Sequence, residues 1–389
     1  MSRMDPAPAP AMTPTLPHDL ADHFPPGYRI ARERFLEALH AVSARLPVLL
    51  DSRALRQRGP DGETLALDFA IVGERQPRHV LVLSSGTHGV EGYTGSAIQH
   101  WALTTLLPRL RLAPGTAVVL QHANNPYGFA WTRRVNEDNV DPNRNFRERF
   151  DPDECSADYE ALYDALNPTR LDADSEARCR AMLEAYVARE GVRRFQQVAV
   201  EGQYKFPQGM QFGGQRHSAG TRHLLELVQT HLASAQTVIW LDFHTGLGES
   251  GACELICGAE PDSDAYRFAK QVWGDGVKSS QAGESVSTPV NGLLDLGVRR
   301  ALPADTRFAF AFPEYGTWPP ERVLFAMRAD NWLHQHGDPG DATGRAISAE
   351  LLEALRPASR DWMRAVAEHG SRLVTDTLTR LPGASLAEA

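Results

Sequence analysis

Three apolar runs, His79 to Leu83, residues 237 to 243, and Phe308 to Phe312, each run out into a turn that carries a histidine or a glutamate. Read as buried strands, they limit the chain to a sheet that collects distant residues along one edge, because ligands of open α/β sheets bind beyond the carboxyl ends of the strands. The first turn, Leu83 to Ser96, is rich in glycine and leads into Ala97 to Leu107, where apolar residues recur at helical spacing. It sets His88 and Glu91 three residues apart, able to point an imidazole and a carboxylate at one ion. The second run ends at His244 and the third at Glu314.

Catalytic zinc is commonly held by three protein ligands with a fourth position open. His88, Glu91 and His244 are therefore the candidate metal ligands, for one zinc ion per chain. Glu314, expected on the same edge, can take a proton from water and pass it to a leaving nitrogen. Asp242 points to the same face of its strand as His244, either to orient that ligand or to satisfy buried amides.

A long polar loop from Asn124 to Phe146 follows the run Ala117 to His122. Its charges mix in sign, and it ends in Asp141-Pro142-Asn143-Arg144-Asn145-Phe146. Arginine grips a carboxylate with two parallel hydrogen bonds. If Asn143 and Arg144 anchor a substrate carboxylate, Arg133 or Arg134 remains free to polarise a carbonyl and stabilise its oxyanion. Gly246 to Gly251 spells GxGxxG, but Ala252 to Cys257 reads as a strand where a dinucleotide site needs a helix. No G-x-S-x-G nucleophile elbow is present.

The chain has 389 residues, 42% apolar and 23% charged, which suits a globular protein with a sizeable core. A net charge of −9 argues against nucleic acid as a partner and leaves a small molecule or short peptide as the expected substrate, its free carboxylate being what the Asn143–Arg144 pair would grip. Residues 1–27, with seven prolines, are expected to be a flexible lead-in with no signal-peptide run. No apolar stretch is long enough to span a bilayer, so no membrane association and a cytoplasmic location are expected. Cys155, Cys179, Cys253 and Cys257 lack zinc-finger spacing; Cys253 and Cys257 read as buried thiols on one strand face.

Along the chain, Tyr28 to Leu46 has the periodicity of an amphipathic helix and Leu65 to Val72 alternates like a strand. Residues 147–214 read as a helical insertion that could cap the site, including Tyr159 to Leu166 and Glu176 to Arg189. Ser218 to Leu232 resumes helical spacing. After Glu314 the chain reads as two helical segments separated by Pro357, and 382–389 as a tail. The expected fold is α/β, a mostly parallel mixed twisted sheet with helices on both faces, forming one catalytic domain over 28–381.

Taken in order, H-x-x-E at His88 and Glu91, N-P-Y-G at Asn125 to Gly128, D-P-N-R-N-F at Asp141 to Phe146, L-D-F-H at Leu241 to His244 and F-P-E-Y-G at Phe312 to Gly316 resemble the zinc carboxypeptidases, succinylglutamate desuccinylases and aspartoacylases. The resemblance covers roughly 65 to 335. It implies zinc on His88, Glu91 and His244, catalysis by Glu314, a carboxylate grip by Asn143 and Arg144, and Arg134 facing the carbonyl. The implied activity is hydrolysis of an amide next to a free carboxylate, by a carboxypeptidase or by an N-acyl amino acid deacylase. A zinc-bearing protein that binds peptides without cleaving them is the alternative of another class. Tyr204, Tyr266 and Tyr315 are the candidates for the tyrosine that caps the substrate in carboxypeptidases.

Overall fold

The computed structural model describes residues 19–386. In chain order the elements begin with α1 (Tyr28–Ser43), β1 (Val48–Arg58), β2 (Thr64–Gly73), β3 (His79–Ser84), α2 (Gly92–Trp101), β4 (Leu110–Leu112), β5 (Thr116–His122) and α3 (Pro126–Ala130). Next come α4 (Ala157–Leu166), α5 (Ala173–Glu190), α6 (Val192–Val200), α7 (Ala219–His231), β6 (Thr237–Asp242), β7 (His244–Ser250) and β8 (Cys253–Cys257). The chain continues through α8 (Asp264–Trp273), β9 (Val277–Ser279), α9 (Leu294–Ala301), β10 (Arg307–Gly316), α10 (Pro320–His336), α11 (Ala342–Leu355), α12 (Arg360–Leu378) and β11 (Ala384–Leu386).

Nine strands form one mixed sheet in the order β1-β2-β5-β3-β6-β10-β8-β9, with β7 beside the far half of β10. The central neighbours β5, β3, β6 and β10 are parallel. Their side chains divide cleanly: Leu81, Leu83, Ile239, Leu241, Ala309 and Ala311 pack on one face with α1, α2 and α12. Val80, Val82, Val238, Trp240, Phe308 and Phe310 pack on the other with α7 and α9. Burial on both faces is why these strands read as continuous apolar runs. The fold is thus α/β with helices on both sides of a mostly parallel sheet, as expected from the strand and helix alternation.

Several expectations need correction. Residues 19–27 are not a free lead-in: Asp19 caps a short 3-10 turn, Leu20–His23, and accepts hydrogen bonds from Arg360 and Arg364, while Phe24 packs edge-on to Trp362. Residues 1–18 lie outside the described residues. β1 has no counterpart in the sequence reading; it is an edge strand whose burial only alternates between intermediate and exposed. Three helices follow Glu314 where two were expected, and the supposed tail pairs through β11 with β4. The polar loop contains α3, whose start Asn125 caps by accepting from Gly128 N. Residues 147–214 contribute α4, α5 and α6, which share a core of their own with Leu324 of α10. Among the described residues no helix is long and apolar enough to cross a membrane, and all four cysteines are free.

Candidate metal centre

β3, β6 and β10 end side by side, and the turns beyond them build the site. After β3 the chain runs extended to His88, which precedes a 3-10 turn, Gly89–Glu91, so His88 and Glu91 lie on one side of the turn. The turn is pinned from outside by the polar loop, because Gly89 N and Val90 N donate to the carbonyls of Arg134 and Arg133. Gly89 is required there: a Cβ would sit 2.1 Å from the carbonyl carbon of Gly128. His244 opens β7 and lies opposite Glu314 in the parallel ladder between β7 and β10.

Three side chains converge. His88 Nδ1 is 2.9 Å from Glu91 Oε1, His244 Nδ1 is 3.0 Å from Glu91 Oε2, and the two Nδ1 atoms are 3.2 Å apart. Zinc bonded at about 2.0–2.1 Å in a tetrahedron requires ligands about 3.3 Å from one another, so the spacing suits a single ion. The outer nitrogens support the same conclusion. His88 Nε2 is 3.1 Å from Asp141 Oδ1 and His244 Nε2 is 2.8 Å from Asp242 Oδ2. A carboxylate only accepts; with a proton on each Nε2 for Asp141 and Asp242, the two Nδ1 lone pairs repel each other and the Glu91 carboxylate. Only a proton or a metal cation between them relieves that repulsion. Carboxylate-backed histidines of this kind are the usual outer support of zinc ligands.

The surrounding field favours positive charge. Burial opposes ionisation of His244, yet Asp242 and Glu91 outweigh it and raise its pKa to about 10. Burial likewise opposes the Glu91 carboxylate, and the two histidines overcome it and hold its pKa below the usual range. Asp242 is itself fixed by Ser84 Oγ at 2.7 Å and Thr87 Oγ1 at 2.9 Å, and Trp240 Nε1 donates to Ser84 Oγ at 2.6 Å. Asp242 therefore does orient His244.

Glu314 lines the same cavity, its Oε1 accepting from Leu247 N at 2.9 Å. Burial, with the charge of Glu91 adding to it, pushes its pKa up to about 7. Arg134 donates through Nη1 to Asp141 and to Gln211 Oε1, and its Nε is 3.8 Å from Glu91. Arg144, also in the cavity wall, donates from Nε to Val200 O at 2.9 Å and from Nη1 to Asn143 O at 2.9 Å. Burial lowers its pKa, as expected of a guanidinium with only carbonyls for partners. Asn143 Oδ1 accepts from Leu294 N at 2.9 Å.

Arg133 is not brought to the site. It turns away to Asn139 Oδ1 at 3.1 Å and Asp330 Oδ2 at 3.5 Å, so of the two adjacent arginines only Arg134 reaches the cavity. None of the three candidate tyrosines lines the cavity either. Tyr204 donates to Arg144 O at 2.7 Å, Tyr266 to Glu284 at 3.3 Å, and Tyr315 lies 3.4 Å from His369. The glycine run after His244 forms β7 and continues into β8, so no helix opens there to receive a dinucleotide phosphate.

Two residues without a sequence-derived role join the site. Asp141 links His88 to Arg134; its place in the Asp-Pro-Asn-Arg run was visible, but nothing local distinguishes it from a capping aspartate, which it also is, accepting from Asn143 N. Gln211 comes from the end of the insertion with φ +59°, a left-handed conformation uncommon outside glycine. Ala123, Thr132 and Asn139 share that feature around the polar loop, and such strain collects at functional sites.

Among solved structures the chain is similar to a carboxypeptidase A from Helicoverpa armigera, at 11% identity over 84% of this chain and 73% of that one, with a TM-score of 0.42. A succinylglutamate desuccinylase/aspartoacylase from Rhodobacter sphaeroides is similar at 11% identity over 88% and 66% of the two chains, TM-score 0.40. A succinylglutamate desuccinylase from Chromobacterium violaceum follows at 15% over 84% and 74%, TM-score 0.36. No curated protein matches the sequence. A family model matches residues 24–369, and the chain accordingly belongs to the family described as "Protein of unknown function (DUF2817)".

Proposed function

We propose that the chain is a zinc-dependent hydrolase that cleaves an amide bond beside a free carboxylate. The observation that carries this reading is the convergence of His88 Nδ1, Glu91 and His244 Nδ1 within 3.2 Å of one another, with each imidazole backed by its own aspartate. His88, Glu91 and His244 would hold the ion. Zinc in such a site supplies a Lewis acid that polarises a carbonyl and makes water nucleophilic near neutral pH.

The chain's own residues do the rest. Glu314 accepts the proton of the attacking water and returns it to the amide nitrogen as the C–N bond breaks, a role suited to a carboxylate whose burial brings its pKa to about 7. Arg134, oriented by Asp141, donates to the oxygen that gains negative charge. Arg144 and Asn143 hold the carboxylate of the leaving amino acid; Arg144 is a buried guanidinium whose hydrogen bonds, among the described residues, go to backbone carbonyls and to no carboxylate.

The test is metal analysis of the purified chain together with hydrolysis of peptides and N-acyl amino acids, before and after chelation. Glu314→Gln should retain metal and lose about 100-fold or more in turnover. Full turnover in Glu314→Gln, or chelator-resistant activity, would overturn the assignment. Metal and ligand binding without any hydrolysis would favour a binding protein instead.

A further inference from the structure

If the chain does hydrolyse an amide beside a carboxylate, the charge inventory of the cavity restricts the remainder of the substrate. The cavity has two ends. At one, Arg144 meets Val200 O, and Asn143 receives Leu294 N, which sets Val200 and Leu293 beside the carboxylate grip. At the other, a Cβ placed on Gly246 would lie 3.2 Å from Leu355, 3.9 Å from Val323 and 3.7 Å from Glu314 Oε1, so these apolar side chains stand next to the proposed base. Met327 packs against the cluster of Val323 and Leu355, and Leu247, whose N–H donates to Glu314 Oε1, adjoins them in the wall.

Among the described residues the cavity wall contains two cations, Arg134 and Arg144. Arg134 is occupied: Asp141 takes its Nη1 and Glu91 lies 3.8 Å from its Nε. Arg144 donates only to backbone carbonyls, so it is the one cationic side chain of the wall without an acidic hydrogen-bond partner. Arg356, next in sequence to Leu355, lies with its guanidinium carbon 5.2 Å from the centre of the Tyr93 ring and is not in the wall. Gln211 accepts from Arg134 through Oε1, which leaves its amide hydrogens as uncharged donors in the wall.

We propose that the substrate carries a single carboxylate, on the leaving amine, and an uncharged, mainly apolar acyl group. A second carboxylate beside Leu247, Val323, Met327 and Leu355 would be stripped of water next to Glu314, where the nearby Arg134 is already paired with Asp141 and no second unpaired side-chain cation of the wall stands ready to receive it. The site therefore selects N-acyl amino acids or peptide ends of apolar acyl character and rejects acyl groups such as succinyl.

The experiment uses the full chain loaded with zinc and three ligands: N-butanoyl-leucine, N-succinyl-leucine, which replaces the terminal methyl by a carboxylate, and N-butanoyl-leucinamide, which lacks the leaving carboxylate. Binding is measured by calorimetry on Glu314→Gln, independently of turnover. N-butanoyl-leucine should bind about 100-fold or more tightly than either comparator. Met327→Arg, which puts a cation into the acyl wall, should raise the affinity for N-succinyl-leucine at least about tenfold. Equal or tighter binding of the succinyl compound to the unmodified wall, or of the amide, overturns the proposal. The predicted ranking with no hydrolysis by the wild-type chain supports the selectivity and defeats only the hydrolase reading.

Discussion

His88 and His244, 156 positions apart in the chain, face one another through their Nδ1 atoms at 3.2 Å, while Asp141 and Asp242 hold their Nε2 atoms from behind. The aspartates hold both rings by their outer nitrogens, and so the proposed metal site depends on four side chains besides Glu91.

Replacing either aspartate should therefore weaken the metal without removing a ligand. Asp141→Asn and Asp242→Asn are each expected to lower zinc affinity about 10–100-fold, and His88→Ala to abolish stoichiometric binding. Competition with a chromogenic chelator measures this directly. Unchanged affinity in both aspartate variants would show that the rings are oriented by something else.

The acid limb of the pH profile should belong to Glu314. As a base it must be ionised, so the rate rises with pH through its pKa. Burial takes that pKa from 4.5 to about 7, and a cation nearby pulls it back down. The limb in kcat/KM should consequently fall between those two values and vanish in Glu314→Gln. A limb that survives in the variant would assign the ionisation to another group.

Arg144→Lys preserves charge but loses the planar fork, and should act on binding more than on chemistry. We expect KM to rise about 100-fold while kcat changes far less. Steady-state kinetics across substrates with and without the leaving carboxylate checks this; an equal effect on both substrates would remove Arg144 from the grip.

Away from the site, acid should unfold the protein through neutral buried histidines. Burial, aided by nearby positive charge, lowers His23 and His100 to about 4; burial also lowers His122 to about 4. Each binds its proton in the unfolded chain near pH 6.5 but in the folded chain only near 4, so the stability each contributes is complete above 6.5 and is lost as pH falls towards 4. His23 and His100 also share one Nδ1 contact at 2.9 Å, which two imidazolium rings cannot make. His100→Gln should flatten the decline of Tm between pH 6.5 and 4, measured by calorimetry.

His88, Glu91 and His244, which would hold the metal, and Glu314 stood out because they lie at or just past the ends of strands buried on both faces, where an apolar run ending in a charged residue leaves little ambiguity. β1 was not, since an edge strand half-open to solvent carries charges such as Asp51, Arg53 and Arg56 where a central strand carries valine. The choice between Arg133 and Arg134 could not be read locally. Adjacent side chains diverge, and which one enters the cavity depends on Asp330 of α10 and Asp141, both distant in the chain or undistinguished within it. Gln211 was hidden for the same reason: its position depends on where a helical insertion returns to the sheet.

Glu314 and His244 are register partners between adjacent parallel strands, so their backbones are held at the strand spacing of about 4.8 Å. Diversification therefore has a natural division of labour in this architecture. The loop 280–293 and α6, which meet through Gln196, Gln197 and Arg193, can vary without disturbing that pair, so in the proposed hydrolase substrate choice could change while the base keeps its place in the ladder.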